Sequence, residues 1–192
     1  NDWHLMHLGN LSVSGPGMVI VEATGVESRG RITPGCVGLH NDEQESAQKR
    51  VLDFCRQYGQ SKMVLQLAHA GRKASTNPPW KGGKPLNTEE GAWKTIAPSA
   101  IPFDEGWHIP REMSLEDLET VKTAFVDSTL RAERIGYDGL EIHGAHGYLL
   151  SEFLSPLANQ RQDEYGGSLE NRMRFPLEVC QVVRDAWPSE KP

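Results

Sequence analysis

The sequence predicts an α/β fold built on a parallel sheet, and three observations carry that expectation. MVIVEATGV (18–26), KMVLQLAHAG (62–71) and GLEIHGAHG (139–147) are short runs rich in Val, Ile and Leu and bounded by glycine, the pattern of strands buried on both faces. Stretches with helical apolar spacing separate them, each of about ten residues or more, the length that a parallel crossover requires. Each run also ends in small and polar residues, and in parallel α/β folds the loops after the strands' carboxyl ends carry the chemistry.

In chain order, a helix around Trp3, Leu8 and Leu11 comes first, then the strand at 18–26. Ala47, Val51, Phe54, Cys55 and Tyr58 recur at i, i+4, i+7, i+8 and i+11 and stripe one side of a helix, for which Asp42 with Glu45 reads as a capping box. After the strand at 62–71, residues 72–113 form one long irregular stretch containing Trp80, Trp93, Trp107 and His108. It is too long for a simple connection and reads as a functional loop or lid. Ser114 and Asp117 open the next helix, Leu118, Val121 and Phe125 make its apolar face, and Gly136 stops it just before the strand at 139–147. Ser168 caps a last helix striped by Phe175, Val179, Val182, Val183 and Ala186, with Pro188 beyond its end.

With 38% hydrophobic and 24% charged residues, the 192-residue chain has the profile of a globular protein rather than a disordered or fibrous one. The net charge of -6, without a Lys/Arg-rich run, leaves no footprint for nucleic acid or an anionic membrane. Small molecules are the expected partners. Cys36, Cys55 and Cys180 are widely spaced with no C-x-x-C pair, which supports neither a disulfide framework nor a zinc knuckle, and none has an activating neighbour in sequence. No apolar run approaches the roughly 18–20 residues of a membrane span, and NDWHLMHLGN lacks the basic start and apolar stretch of a secretory signal. A reduced, cytoplasmic setting is expected. The opening on Asn1 and the close on WPSEKP read as ends cut from something longer.

The candidate chemistry gathers in GYDGLEIHGAHGYLLSEFLSP (136–156). Strand alternation puts Glu141 and His143 on one face and Leu140 and Ile142 on the other, so the polar face must look at something other than helices, such as a bound ligand. His143 and His146, with Tyr148, stand at the carboxyl end of this strand, level with Glu22, Ala23, Gln66, His69 and Arg72 at the ends of the other two. Two histidines so placed make a metal site, an acid–base pair or a hydrogen-bonding clamp for developing negative charge. The H-x-x-H spacing in a strand-to-loop turn differs from a helical H-x-x-x-H, and a metal needs a third ligand. A single strand histidine readily does no more than satisfy core hydrogen bonds; a pair beside a tyrosine at a loop mouth points to more. Gln66 alone reads as an edge residue, Ala23 alone as packing, and RQDEYGGSLENR (161–172) alone as a solvated loop and helix cap. No G-x-G-x-x-G follows a strand, so a Rossmann dinucleotide site has no support.

Taken together, VEATGVESRGRITPG (21–35), QLAHAGRKA (66–74), APSAIPFDE (97–105), EIHGAHGYLLSEFLSP (141–156) and NQRQDEYGGSLENRMRF (159–175) resemble the Old Yellow Enzyme family of FMN-dependent ene-reductases. The resemblance covers nearly the whole chain and is strongest to the xenobiotic-reductase and YqjM-like branch. It implies an eight-stranded (β/α) barrel with FMN held noncovalently at the strands' C-terminal ends, NADPH or NADH as reductant, and α,β-unsaturated carbonyl or nitro compounds as substrates. Carried over by position, Gln66 hydrogen-bonds the flavin's pyrimidine edge and Ala23 meets the isoalloxazine through its backbone. His143 and His146 grip the substrate's carbonyl or nitro oxygen, and Tyr148 is the proton donor to its α-carbon; no metal is implied. Conjugate hydride addition builds enolate charge on that oxygen, where two preorganised imidazole donors are worth most. Gly25 in EATGV and His40 in GLHND stand where the resemblance has alanine and tryptophan, so the packing near the flavin is not carried over.

A (β/α)₈ barrel takes about 250 residues. A chain of 192 with three such strands is therefore expected to be one partial TIM-barrel domain over residues 1–192, an incomplete (β/α)8 barrel of roughly strands two to four with flanking helices. Its open strand edges favour a homo-oligomer. The competing readings are a non-catalytic fragment or half-barrel binding module that does not hold flavin by itself, and a metal-dependent barrel hydrolase or aldolase.

Overall fold

The computed structural model describes residues Asn1–Pro192. In chain order it contains α1 (Asp2–Val13), β1 (Met18–Gly25), α2 (Asp42–Tyr58), β2 (Lys62–Ala68), β3 (Ile96–Ala97), β4 (Arg111–Glu112), α3 (Leu115–Ile135), β5 (Gly139–Ile142), α4 (Leu149–Leu154) and α5 (Leu169–Ala186). β1, β2 and β5 pair side by side, all parallel, with Ile20 opposite Val64 and Val64 opposite Gly139. α2 makes the crossover from β1 to β2 and α3 that from β2 to β5. The result is a run of β/α units open at both edges, an incomplete (β/α)₈ barrel.

The helices cover one face of the sheet. Val19, Val21, Met63, Leu65 and Leu67 point into a continuous core with Val51, Leu52, Leu118, Val121, Phe125, Phe175 and Val179. Each such side chain contributes about 1.5–3 kcal/mol by leaving water. The other face is open: Met18, Ile20, Glu22 and Glu141 are exposed. The strands were expected to be buried on both faces, and β1 instead alternates, because three β/α units do not curve far enough to enclose a second layer. β2 and β5 are also shorter than the apolar runs suggested. A positive φ at Gly71 (+59°), and at His146 (57°) and Gly147 (+71°), turns the chain away from the sheet.

The cap of α3 follows the sequence: the Asp117 N–H donates to Ser114 Oγ and the Ser114 N–H to Asp117 Oδ2. That reciprocal pair is worth about 1 kcal/mol, and Gly136 ends the helix in the left-handed conformation. The cap of α2 differs. Asn41, not Asp42, accepts the Gln44 N–H, at 2.8 Å. Asp42 and Glu45 are taken instead by Arg131 and Arg134 of α3, at 2.7 and 2.9 Å. Long-range ion pairing has displaced the local motif.

The stretch 72–113 is less irregular than its composition indicated. β3 and β4 pair in parallel and pin its two arms together, and Arg111 binds the Asp117 carboxylate with both terminal nitrogens, at 2.6 and 2.7 Å. Residues 98–110 project between these anchors, tied back where Arg72 donates to the carbonyls of Ile101 and Pro102. The six-residue α4 was not foreseen. It is too short for an apolar period to show.

Candidate active site at the strand ends

β1 is irregular where the candidate residues begin. Its pairing with β2 matches Val21 to Leu65 and Thr24 to Leu67, so Glu22 and Ala23 together face the single residue Gln66. This is a β-bulge, which leaves a residue unpaired and re-aims the strand. Gln66 in turn lies opposite Glu141 of β5, and its side-chain amide donates to the Glu141 carboxylate. Ala23, Gln66 and Glu141 thus make one row across the open sheet, and His143 comes two residues further along β5's direction. The His143 N–H still donates to Leu67 O, at 2.9 Å, so the sheet's hydrogen bonding fixes its position.

His143 and His146 meet edge-to-face with ring centroids 5.1 Å apart, and Tyr148 meets His143 in the same way at 4.9 Å. The Ala145 N–H donates to His143 Nδ1 at 3.2 Å. A neutral His143 therefore carries its proton on Nε2. That nitrogen lies 3.4 Å from His146 Nδ1. With its proton there, His143 Nε2–H donates to His146 Nδ1, and this contact holds the two rings side by side at the strand end. Burial, and secondarily His146, lowers the His143 pKa, so the ring stays neutral near pH 7. Burial, and then the Cys36 thiol, raises the Tyr148 pKa, so the phenol keeps its proton. His146 holds φ at 57°, a costly conformation for a non-glycine residue and one that recurs where geometry is imposed for a purpose.

Lys73, not singled out from the sequence, joins this cluster. Its ammonium donates to the His146 carbonyl at 2.9 Å and lies 4.9 Å from the Tyr148 ring and 4.6 Å from the Phe103 ring. Phe103 packs edge-to-face on Trp107 at 4.8 Å, which brings the 98–110 projection to the rim of the site. No spacing rule points to a lysine shortly beyond a strand; the packing of two separate loops does.

His69 stands apart from the cluster. Its ring is buried, accepts the Gly71 N–H on Nδ1 and faces Glu27 Oε1 through Nε2, at 2.9 Å. Although burial pushes the Glu27 carboxyl upward, His69 and Arg29 hold it down at about 2. Arg29 continues the chain of contacts to Asp117. This network braces the loops after β1 and β2. The positions departing from the resemblance meet each other here, His40 Nδ1 lying 3.3 Å from Gly25 O. Nowhere do three or more His, Cys, Asp or Glu side chains gather to hold a metal ion. A cleft of about 260 Å³ between α1, α2 and the 34–38 loop contains none of the candidate residues. No helix is long and apolar enough to cross a membrane.

Residues 1–191 match the model of the NADH:flavin oxidoreductase / NADH oxidase family. The chain is 47% identical over 195 residues to an NADH:flavin oxidoreductase of Gibberella zeae, covering 100% of this chain and 47% of that one. To an NADPH dehydrogenase of Clostridium acetobutylicum it is 43% identical over 192 residues, covering 100% and 52%. Among solved structures it is similar to morphinone reductase, with a TM-score of 0.82 and 28% identity over 98% of this chain and 51% of that one. It is also similar to 2-naphthoyl-CoA reductase in complex with 2-naphthoyl-CoA, with a TM-score of 0.85 and 25% identity over 100% and 29%. The chain spans about half the length of the curated relatives it matches.

Proposed function

Because this chain belongs to the NADH:flavin oxidoreductase / NADH oxidase family, we propose that it serves the FMN-dependent reduction of activated alkenes, with NADPH or NADH as reductant. Enones are the main substrates in this reading and nitro compounds a side class. The single observation that carries it is the convergence of His143 Nε2 and His146 Nδ1, 3.4 Å apart, beside Tyr148. An oxygen inserted between these two nitrogens would accept from both rings, and such donors are worth most where negative charge develops.

The residues present fit one edge of a flavin. The bulge leaves Ala23 out of the strand pairing, a small residue whose backbone can approach a flat ring, and the Gln66 amide next to it offers both a donor and an acceptor. FMN, when bound, supplies the hydride chemistry between nicotinamide and alkene. The chain's own residues do the rest. His143 and His146 bind and orient the substrate's carbonyl oxygen, Tyr148 delivers a proton to the α-carbon, and Lys73 holds the turn that presents both. The projection over 98–110, with Phe103 and Trp107 at its rim, serves as the lid of residues 72–113 and excludes water. A cytoplasmic setting and self-association complete the proposal.

The test is the visible spectrum of the full-length protein carrying this chain, with its reduction of 2-cyclohexenone under NADPH and under NADH. A yellow protein that consumes the enone supports the reading. A protein that takes up no flavin, or a flavoprotein inert to every enone and nitroalkene offered, overturns it.

A further inference from the structure

α4 carries a carboxyl group where an apolar side chain would pack as well. Glu152 is 1% exposed. Its Oε1 accepts the Arg72 backbone N–H at 2.9 Å, while Oε2 is buried without a partner. The 3₁₀ turn Gly71–Lys73 is moulded against this carboxyl: Gly71 sits at φ +59°, and a Cβ there would overlap both carboxyl oxygens. Desolvation makes such a group costly. Its siting therefore asks for a task that a leucine could not perform.

The turn it grips is the one that reaches the candidate site. Arg72 extends from it to the carbonyls of Ile101 and Pro102, and Lys73 to the His146 carbonyl and the faces of Tyr148 and Phe103. From the other side, the Glu152 N–H donates to Tyr148 O at 2.8 Å, within the first turn of α4. One residue thus touches the backbone of both loops that Lys73 bridges. We propose that Glu152 is a positioning residue of the site, locking the Gly71–Lys73 turn to α4 so that Lys73 holds His146 and Tyr148 in their converging arrangement. The claim that this arrangement serves alkene reduction rests on the function proposed above; the coupling of Glu152 to the His146 loop does not.

The experiment uses the full-length flavoprotein with Glu152→Gln, Glu152→Leu, Lys73→Met and the Glu152→Leu/Lys73→Met double variant. The Gln substitution keeps an oxygen acceptor for the Arg72 N–H, whereas Leu keeps the volume and removes the acceptor. Hydrogen exchange of the peptide spanning residues 143–149 is read first and needs no activity. It should accelerate roughly tenfold in the Leu and Met variants, return to the parent rate in the Gln variant, and be no faster in the double variant than in either single one, since groups acting through one contact are non-additive. Affinity for 4-chlorophenolate and the rate of the enone half-reaction should fall with the same pattern, by roughly tenfold. Parent-like exchange in both Glu152→Leu and Lys73→Met, or additive effects in the double variant, would overturn the proposal. If Glu152→Leu does not fold, Lys73→Met against Glu152→Gln still decides: the positioning role requires the first to loosen residues 143–149 and the second to leave them unchanged. A parent protein that binds no phenolate and reduces no enone, with the exchange pattern intact, would sink the function and leave the positioning standing.

Discussion

Replacing Glu152 by Gln should change how stability depends on pH, in a direction fixed by the structure. Burial raises the Glu152 carboxyl from 4.5 to about 8, against the opposing pull of the Arg72 N–H and of the Arg72 and Lys73 charges. The folded state therefore holds a proton that the unfolded chain releases above pH 4.5. Below that pH both states are protonated and nothing is lost. Between 4.5 and about 8 the folded state binds more protons, so stability falls as pH rises, by about 1.36 kcal/mol per pH unit. Above about 8 both states are ionised and the loss levels off, at about 5 kcal/mol over the whole window. The amide of the Glu152→Gln variant cannot ionise, so this component vanishes there. Urea unfolding followed by tryptophan fluorescence at several values from about pH 5 to 7.5 should show the variant gaining about 3 kcal/mol on the parent across that range. Only the difference between the proteins is read, and other titrating groups cancel. A difference constant to within about 0.5 kcal/mol would mean that Glu152 is ionised in the folded protein, and that burial does not govern its proton.

Three further outcomes follow from the same geometry. His143→Ala or His146→Ala in the full-length protein should slow the enone half-reaction by roughly 10²–10³-fold, the cost of one oxyanion donor; a double variant at the parent rate in stopped flow would refute the clamp. Tyr148→Phe should slow alkene-driven flavin reoxidation by roughly 10²–10⁴-fold while leaving fold and cofactor intact, and an unchanged rate would move the proton donor elsewhere. Gly71→Ala should destabilise by about 2–4 kcal/mol in urea, because it combines a positive φ with overlap against the Glu152 carboxyl; a neutral result would contradict the close packing of that turn.

The sequence made the scaffold legible and the site only in part. Helices α3 and α5 were readable because each buries one apolar stripe, whereas of the stripe expected on α2 only Val51 and Cys55 are buried and Ala47 and Tyr58 stay exposed; the Ser114/Asp117 and Ser168 caps are local hydrogen bonds that a few residues determine. The Asp42/Glu45 box misled, because Arg131 and Arg134, far along the chain, compete for those carboxylates. His143, His146 and Tyr148 were visible because they crowd one strand end. Their mutual orientation was not, since it depends on the Ala145 N–H and on the left-handed backbone of His146. Lys73 and Glu152 escaped for a related reason: each matters through a contact between loops far apart in sequence, and a lone Glu in an apolar stretch carries no period. His69 shows that a polar residue at a strand end need not face a ligand, since its ring faces Glu27.

The open sheet bears on how residues 1–192 behave when expressed by themselves. The outer edge of β1 is covered only near Gly25, which bonds to Val37 and Leu39, and β5 has on its free side the single bond from Leu140 N–H to Pro192 O. Between them lies a face on which Met18 is 54% and Ile20 41% exposed. Unpaired edges beside exposed apolar side chains recruit further strands. In (β/α)₈ barrels the cofactor's phosphate commonly sits in the loops after strands seven and eight, at a helix N-terminus. In the proposed reading, Ala23 and Gln66 would meet only an edge of the ring. This span alone should therefore be an oligomer that is colourless when purified without added flavin, even though His143, His146 and Tyr148 are already brought together in it. Light scattering and a visible spectrum of the same preparation decide it. A yellow monomer with stoichiometric FMN would show that three β/α units suffice to hold the cofactor and that an open sheet is no obstacle to it.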